Sequence, residues 1–185
     1  MARVRDVGPN EVPEEARDAY QRYASDYGPF RNQVGVFAHV PSSVKHLMGL
    51  LLELREQRNV PRRLIEIAIV AVSKLNGCDY CVAHHKPMLM FEGLSPEGAD
   101  AILDYKDHPE LDETDKLIVE YSIAVTNAPQ RIRDNVFERL HKHFSEAQIV
   151  ELTLRIALCG FFNRFNDALQ VDDEAHAVSE VARGA

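Results

Sequence analysis

Long hydrophobic runs are absent from this chain. Its 185 residues contain no stretch of about eighteen consecutive apolar residues, the length that predicts a membrane-spanning helix. The first residues, MARVRDVGPNEV, also lack the apolar centre of a secretory signal peptide. We therefore expect a cytoplasmic protein with no membrane partner. In a reducing cytosol, a C-x-x-C pair is more typical of catalysis than of a structural disulfide.

Basic residues are in the minority. The chain has 21 Lys and Arg against 29 Asp and Glu, which gives a net charge of −8. Nucleic-acid-binding surfaces carry a basic patch or stripe, and because none is present we expect no nucleic-acid partner. No segment alternates apolar and polar residues with a period of two. The sequence therefore predicts an all-α fold of about eight helices in a single domain, residues 1–185.

Cysteine is scarce, and two of the three cysteines stand close together. An apolar helix is predicted to end at Asn76-Gly77, and a second helix to begin with Cys78 and Cys81. His85 follows Cys81 by four residues, so on a helix the two share a face one turn apart. A thiol, a second thiol and a base can therefore meet at one point. The third cysteine, Cys159, lies in an apolar segment and is predicted to be a buried small hydrophobe.

This spacing points to nucleophilic thiol chemistry. The thiolate is the reactive form of cysteine, and a helix start or a neighbouring imidazole promotes it. We favour Cys81 as the nucleophile because His85 lies one turn away, while Cys78 can close a disulfide with it. The alternative is that Cys78 attacks first, because it lies nearer the positive end of the helix dipole.

A metal site and a purely structural cysteine pair are the other interpretations of this segment. A structural zinc site needs four ligands, and Cys78, Cys81 and one histidine supply three. No second pair follows at zinc-finger spacing. We therefore predict no metal and no cofactor, and redox chemistry is favoured over two merely buried cysteines.

Glu66 completes a longer pattern. Glu66, Cys78, Cys81 and His85 form E-x11-C-x2-C-x3-H, which resembles the signature of the alkylhydroperoxidase D branch of the carboxymuconolactone decarboxylase superfamily. The resemblance implies that Cys81 attacks the peroxide, Cys78 resolves it as a disulfide, and Glu66 and His85 form a proton relay. One departure is Tyr80, since the best-known members have histidine at this position.

The resemblance covers residues 30–170. It leaves residues 1–29 as an N-terminal helical extension and residues 172–185 as a polar tail. It also implies a homo-oligomer, either a trimer or a hexamer.

The local sequence supports a special role for Glu66. It lies in RRLIEIAIVAVSKL, a helix with almost no polar face, where a buried carboxylate must be paired or hydrogen-bonded. The alternative to a catalytic role is a salt bridge to Arg62 or Arg63.

A weak internal repeat extends this pattern. Glu151 and Asn163 repeat the spacing of Glu66 and Cys78 at a constant offset of 85 residues. If the repeat is real, Glu151 and residues 163–167 pack beside the first copy; chance similarity of two apolar helices is the alternative. The residues predicted to line the site are Tyr80, His84, His39, Arg164 and Asn166. For His39 the alternative is a structural or capping role.

The sequence thus predicts a thiol-dependent peroxidase. Its substrate is an alkyl or hydrogen peroxide, and a cellular dithiol reduces the disulfide afterwards. One alternative is a lyase like the decarboxylase branch of the superfamily, although that branch typically lacks the C-x-x-C pair. The other is a non-catalytic redox sensor or assembly subunit whose disulfide controls a partner.

Overall fold

The computed structural model describes residues 2–174. Most of the predicted polar tail, residues 175–185, lies outside the described residues. Within residues 2–174 the chain forms ten α-helices and no strand, which confirms the all-α prediction. The helices are α1 Glu14–Arg22, α2 Arg31–Phe37, α3 Pro41–Ser43, α4 Gly49–Gln57, α5 Arg62–Asn76, α6 Asp79–Phe91, α7 Pro96–Asp100, α8 Glu113–Asn127, α9 Asp134–His143 and α10 Glu146–Leu169.

Several of these helices continue through irregular turns. A π-helix, Tyr23–Tyr27, extends α1, and a second one, Val44–Met48, joins α3 to α4. Two 3-10 helices, Ile102–Asp107 and Pro129–Arg131, follow α7 and α8. The amphipathic helix predicted after Pro41 is therefore α3 and α4 running on through a wider turn.

The chain divides into two compact units. The first comprises residues 1–58 together with residues 165–185, and the second is Asn59–Arg164. The single-domain boundary 1–185 stays a prediction. Among residues 2–174, no helix combines the length and the apolar character needed to cross a membrane.

The second unit is built around α5. Every residue from 64 to 73 is buried, as its nearly all-apolar sequence predicts. The helix packs against α6 and α8. Ile67, Val70 and Val72 have no exposed surface, and full burial of one such side chain contributes about 1.5–3 kcal/mol. This burial fixes α5 and with it the position of Glu66.

A tight turn joins α5 to α6. Gly77 takes the left-handed conformation with φ +69°, which glycine adopts without a steric penalty. The amide of Cys78 donates to the carbonyl of Ser73 at 3.0 Å, the long bond of a Schellman motif. Cys78 is therefore the N-cap residue of α6, which begins at Asp79.

The predicted caps are confirmed at three other helices. The side chain of Ser95 accepts from the amide of Gly98 at 2.9 Å at the start of α7. Asp112 and Asp115 form a reciprocal capping box at α8. Ser145 and Gln148 do the same before α10. Each cap satisfies amides that the first helical turn leaves unpaired.

Candidate active site

The four motif residues lie in the second unit on the α5–α6 hairpin. Glu66 sits in the second turn of α5, Cys81 and His85 lie in the first two turns of α6, and Cys78 is its N-cap. All four side chains are at least mostly buried. The hairpin therefore brings a carboxylate and an imidazole into contact although 19 residues separate them in sequence.

The central contact joins Glu66 to His85. The Oε2 atom of Glu66 lies 2.8 Å from Nδ1 of His85. An ionised carboxylate only accepts, so Nδ1–H of His85 is the donor. In the neutral ring this fixes Nε2 as the accepting nitrogen, and the proton on Nδ1 is shared with a buried carboxylate. Such a pair can take up one proton and hold the resulting charge.

Arg62 is a second partner of Glu66. Its Nε atom lies 3.8 Å from Oε1 of Glu66 and 3.6 Å from Oε1 of Glu92. Glu66 therefore contacts Arg62 through one oxygen and His85 through the other. Arg63 pairs instead with Asp115 at 2.8 Å, so Arg62 is the one of the two predicted arginines that reaches Glu66. Asp115 is buried, and Arg63 supplies the positive charge that stabilises its carboxylate.

Both motif cysteines are buried, with 0% of Cys78 and 4% of Cys81 exposed, and all three cysteines of the chain are thiols. Cys78 lies at the helix start, where the dipole favours negative charge. Cys81 lies one turn before His85 on the same helix. Asp79, in the first turn of α6, adds a negative charge that opposes a thiolate at either position. The helix dipole therefore favours a thiolate at Cys78, and the imidazole of His85 favours one at Cys81.

Tyr80 and His84 brace the start of α6. Their rings stack with centroids 4.1 Å apart at an angle of 24°. Nδ1 of His84 lies 2.7 Å from the carbonyl oxygen of Tyr80, so in the neutral ring this nitrogen is the donor. His84 has no exposed surface and 7% of Tyr80 is exposed. The pair flanks Cys81 in sequence and stiffens the helical turns that carry it.

The other predicted site residues occupy different surroundings. Arg164, in the second unit, is exposed and donates through Nη1 to the carbonyl of Gly160 at 2.7 Å. His39 and Asn166 belong to the first unit. The ring of His39 contacts the carbonyl of Arg5 at 2.8 Å, and Oδ1 of Asn166 accepts from Gln33 at 3.1 Å. Their role as pocket residues stays a prediction.

The second copy of the predicted repeat does lie beside the first. Asn76, on α5, donates to Oδ1 of Asn163, on α10, at 2.8 Å. Glu151 is buried like Glu66, but it lies 3.5 Å from Arg155 of its own helix. Glu151 of the second copy is therefore paired with Arg155, whereas Glu66 of the first copy contacts His85.

Sequence reasoning missed a group of buried polar side chains near Cys78. Asn163 donates to Oγ of Ser73 at 3.2 Å, and Ser73 lies 3.3 Å from Sγ of Cys159. Burial raises the pKa of Cys159 to about 12, so this thiol is protonated and uncharged near neutral pH. This agrees with the prediction that Cys159 is a buried small hydrophobe. The sequence signals were Ser73, a polar residue in the apolar stretch of α5, and the internal repeat that predicts Asn163 beside the first copy.

The chain matches one family model. Residues 41–107 match the carboxymuconolactone decarboxylase family. This segment includes Glu66, Cys78, Cys81 and His85. Among curated proteins, the chain is 24% identical to the uncharacterized protein YdfG of Bacillus subtilis (strain 168) over 138 residues, which cover 74% of this chain and 93% of that protein.

Solved structures share its fold over almost the full length. An uncharacterized peroxidase-related protein with an alkylhydroperoxidase AhpD core, from Ralstonia eutropha JMP134, has a TM-score of 0.82 at 20% identity, covering 96% of this chain and 95% of that one. The debrominase Bmp8 has a TM-score of 0.77 at 19% identity, covering 98% and 97%. These similarities confirm the AhpD-like helical fold.

Proposed function

We propose that the chain is a thiol-dependent peroxidase of the carboxymuconolactone decarboxylase superfamily, whose family model matches residues 41–107, and it has the AhpD-like fold. The observation that carries the proposal is the buried contact of 2.8 Å between Glu66 and His85, with Cys81 one helical turn from that imidazole. A buried carboxylate–imidazole pair beside a cysteine is the arrangement that general acid–base assistance to a thiol requires.

The proposed reaction has two steps on the protein. The thiolate of Cys81 attacks the terminal peroxide oxygen, the O–O bond breaks, and His85 with Glu66 delivers the proton that releases the alcohol. Cys81 is then a sulfenic acid. The thiol of Cys78 attacks this sulfur, which forms the disulfide and expels one water. An external dithiol, oxidised in turn to its disulfide, returns both cysteines to thiols.

The same proposal defines the partners. The substrate is an alkyl or hydrogen peroxide, and the reductant is a small or protein dithiol; neither step calls for a metal or a cofactor. We also propose that the protein acts as a homo-oligomer, a trimer or a hexamer. Val150 and Phe161 on α10 are 66% and 45% exposed in the single chain, and contact with a second copy would remove this apolar surface from water.

Peroxide consumption with dithiothreitol as reductant tests the function. We expect turnover by the unaltered protein and none above background by Cys81→Ser. Without dithiothreitol, the Cys78→Ser protein should react once and stop as a sulfenic acid, which dimedone traps at Cys81. Full turnover by Cys81→Ser would contradict the role of Cys81. A dimedone adduct at Cys78 in that variant would show that the two cysteines have exchanged roles.

Reductive debromination is a second candidate, because the debrominase shares the fold over nearly the whole of both chains. In that reaction an aryl bromide gains hydrogen and loses bromide, while Cys78 and Cys81 supply two electrons and become a disulfide. Bromide release from a bromopyrrole, measured beside peroxide consumption, separates the two candidates. If neither substrate reacts but the disulfide forms and reopens reversibly, the redox-sensor alternative is favoured.

A further inference from the structure

A chain of buried and partly buried hydrogen bonds joins α10 to the end of α5. We call Ser73, Asn76, Cys159 and Asn163 the α5–α10 polar cluster. Asn76 donates to Oδ1 of Asn163 at 2.8 Å, and Asn163 donates from Nδ2 to Oγ of Ser73 at 3.2 Å. Oγ of Ser73 lies 3.3 Å from Sγ of Cys159, which donates to the carbonyl of Ile69 at 3.6 Å. These hydrogen bonds are mutually compatible when each side chain donates to the next, from Asn76 to the carbonyl of Ile69.

Apolar side chains of the same shape would stabilise this part of the fold about as well as the polar cluster does. Asn163 and Ser73 have no exposed surface. Buried polar groups contribute little net stability, because their hydrogen bonds replace those made to water. They do, however, define one geometry, because any other placement leaves a buried donor or acceptor without a partner. Asn163 therefore fixes the last turn of α5 against α10.

That turn carries Cys78. The carbonyl of Ser73 accepts the amide of Cys78 at 3.0 Å, so Ser73 holds the cluster with its side chain and Cys78 with its backbone. Asn76, the last residue of α5, is the other partner of Asn163 on that helix. Both hydrogen bonds of Asn163 to α5 thus fall within the five residues before Cys78. Cys81 lies inside α6, three residues after Cys78.

We propose that Asn163 is a positioning residue for the resolving thiol: through Ser73 and Asn76 it holds the turn before Cys78, so that this thiol meets the sulfur of Cys81. This inference rests on the proposed two-cysteine mechanism. In the resolving step the Cys78 sulfur bonds to the Cys81 sulfur, the S–O bond of the sulfenic acid breaks, and the hydroxyl group leaves as water after taking the proton of the Cys78 thiol. Loss of Asn163 slows this step and leaves the attack on peroxide unchanged.

The test uses Asn163→Ala with Thr153→Ala as its matched control. Thr153 is also on α10 and makes a hydrogen bond to a neighbouring helix, at 2.6 Å to Tyr121 of α8, away from Cys78. In a single turnover with hydrogen peroxide and dimedone, we expect the Asn163→Ala protein to accumulate the adduct at Cys81. The control and the parent protein should form the disulfide before dimedone reacts. The rate of peroxide loss should agree within about twofold in all three.

A second readout does not depend on peroxide. Oxidised glutathione converts the Cys78–Cys81 dithiol to its disulfide and yields two reduced glutathione molecules, and the equilibrium constant measures how well the two thiols are placed. We expect it to fall about tenfold in Asn163→Ala, equivalent to about 1.4 kcal/mol. The control should remain within about twofold. If Asn163→Ala does not fold, Ser73→Ala, which keeps the carbonyl bonded to Cys78, should show the same fall at about threefold.

The outcomes separate this inference from the proposed function. If the parent protein consumes no peroxide, the peroxidase proposal fails, and the glutathione constants still decide the role of Asn163. If the parent consumes peroxide but the Asn163→Ala and Thr153→Ala proteins have equal constants and equal adduct yields, the positioning role is overturned. A parallel loss of peroxide attack and resolution in Asn163→Ala would also overturn it, because it would show a general structural effect.

Discussion

Glu66 shows how one side chain serves two partners. Its oxygens face different groups, His85 at 2.8 Å and Arg62 at 3.8 Å. The imidazole can both donate and accept hydrogen bonds through its two ring nitrogens, whereas the guanidinium only donates. Arg62 is also shared with Glu92, so it offsets only part of the negative charge of Glu66. Glu66 stays bonded to His85.

Replacing Glu66 with Gln removes the charge and keeps the size of the side chain. We expect kcat/KM for peroxide to fall about 100-fold, because general acid–base assistance typically contributes that much or more. His85→Gln should have a similar effect, and the double variant should be little worse than either single one, since the two act as one unit. The exposed Glu138→Gln on α9 is the control. Additive losses in the double variant would contradict a shared relay.

Cys159 provides a prediction about pH. Because burial raises its pKa to about 12, well under 1% is thiolate at pH 9. In a protein with Cys78→Ser and Cys81→Ser, iodoacetamide should therefore leave the folded chain almost unmodified at pH 9. The same protein in urea should react at the rate of an ordinary thiol. Fast modification of the folded protein would contradict the buried, neutral state of Cys159.

At the scale of the element, the turn between α5 and α6 decides where the thiols lie. Gly77 ends α5 in the left-handed conformation, and the Cys78 amide closes the Schellman motif on Ser73. α6 begins directly afterwards, so Cys78 and Cys81 occupy its N-cap and third positions. A shift of one residue at this turn would rotate both thiols by about 100° around α6.

Gly77→Ala tests the turn alone, because a Cβ at this position meets nothing within 4 Å and only the positive φ resists it. We expect the free energy of unfolding to fall by about 1 kcal/mol. Gly49→Ala is the matched control: it lies in α4, its added Cβ also meets nothing within 4 Å, and it should stabilise by about 0.5–1 kcal/mol. Equal effects of the two substitutions in chemical denaturation would show that the conformation of Gly77 has no cost for alanine.

At the scale of the whole molecule, the two compact units divide the chain unevenly. The second unit, Asn59–Arg164, contains the whole E-x11-C-x2-C-x3-H pattern and the contact between Glu66 and His85. The segment that matches the family model, residues 41–107, spans the unit boundary at residue 58. The proposed relay contact between Glu66 and His85 therefore lies inside a single unit.

The proposed homo-oligomer gives a prediction about mass. Sedimentation equilibrium should yield three or six times the mass of one chain, because association would cover apolar side chains such as Phe161 that the single chain leaves exposed. The measurement should be repeated at low protein concentration, where a weak assembly would dissociate by mass action. A single-chain mass throughout would contradict the oligomer.

The sequence by itself determined the helices, their caps and the family pattern. These follow from local physics: apolar periodicity defines α5, Gly77 ends it, and a spacing of four places Cys81 and His85 on one face. Tertiary structure decided which of two neighbouring arginines reaches Glu66, because Asp115, far along the chain, binds Arg63. It also decided the partners of Ser73, which lie about 90 residues away on α10. No local pattern encodes such contacts, since they depend on how packed helices align their few buried polar groups.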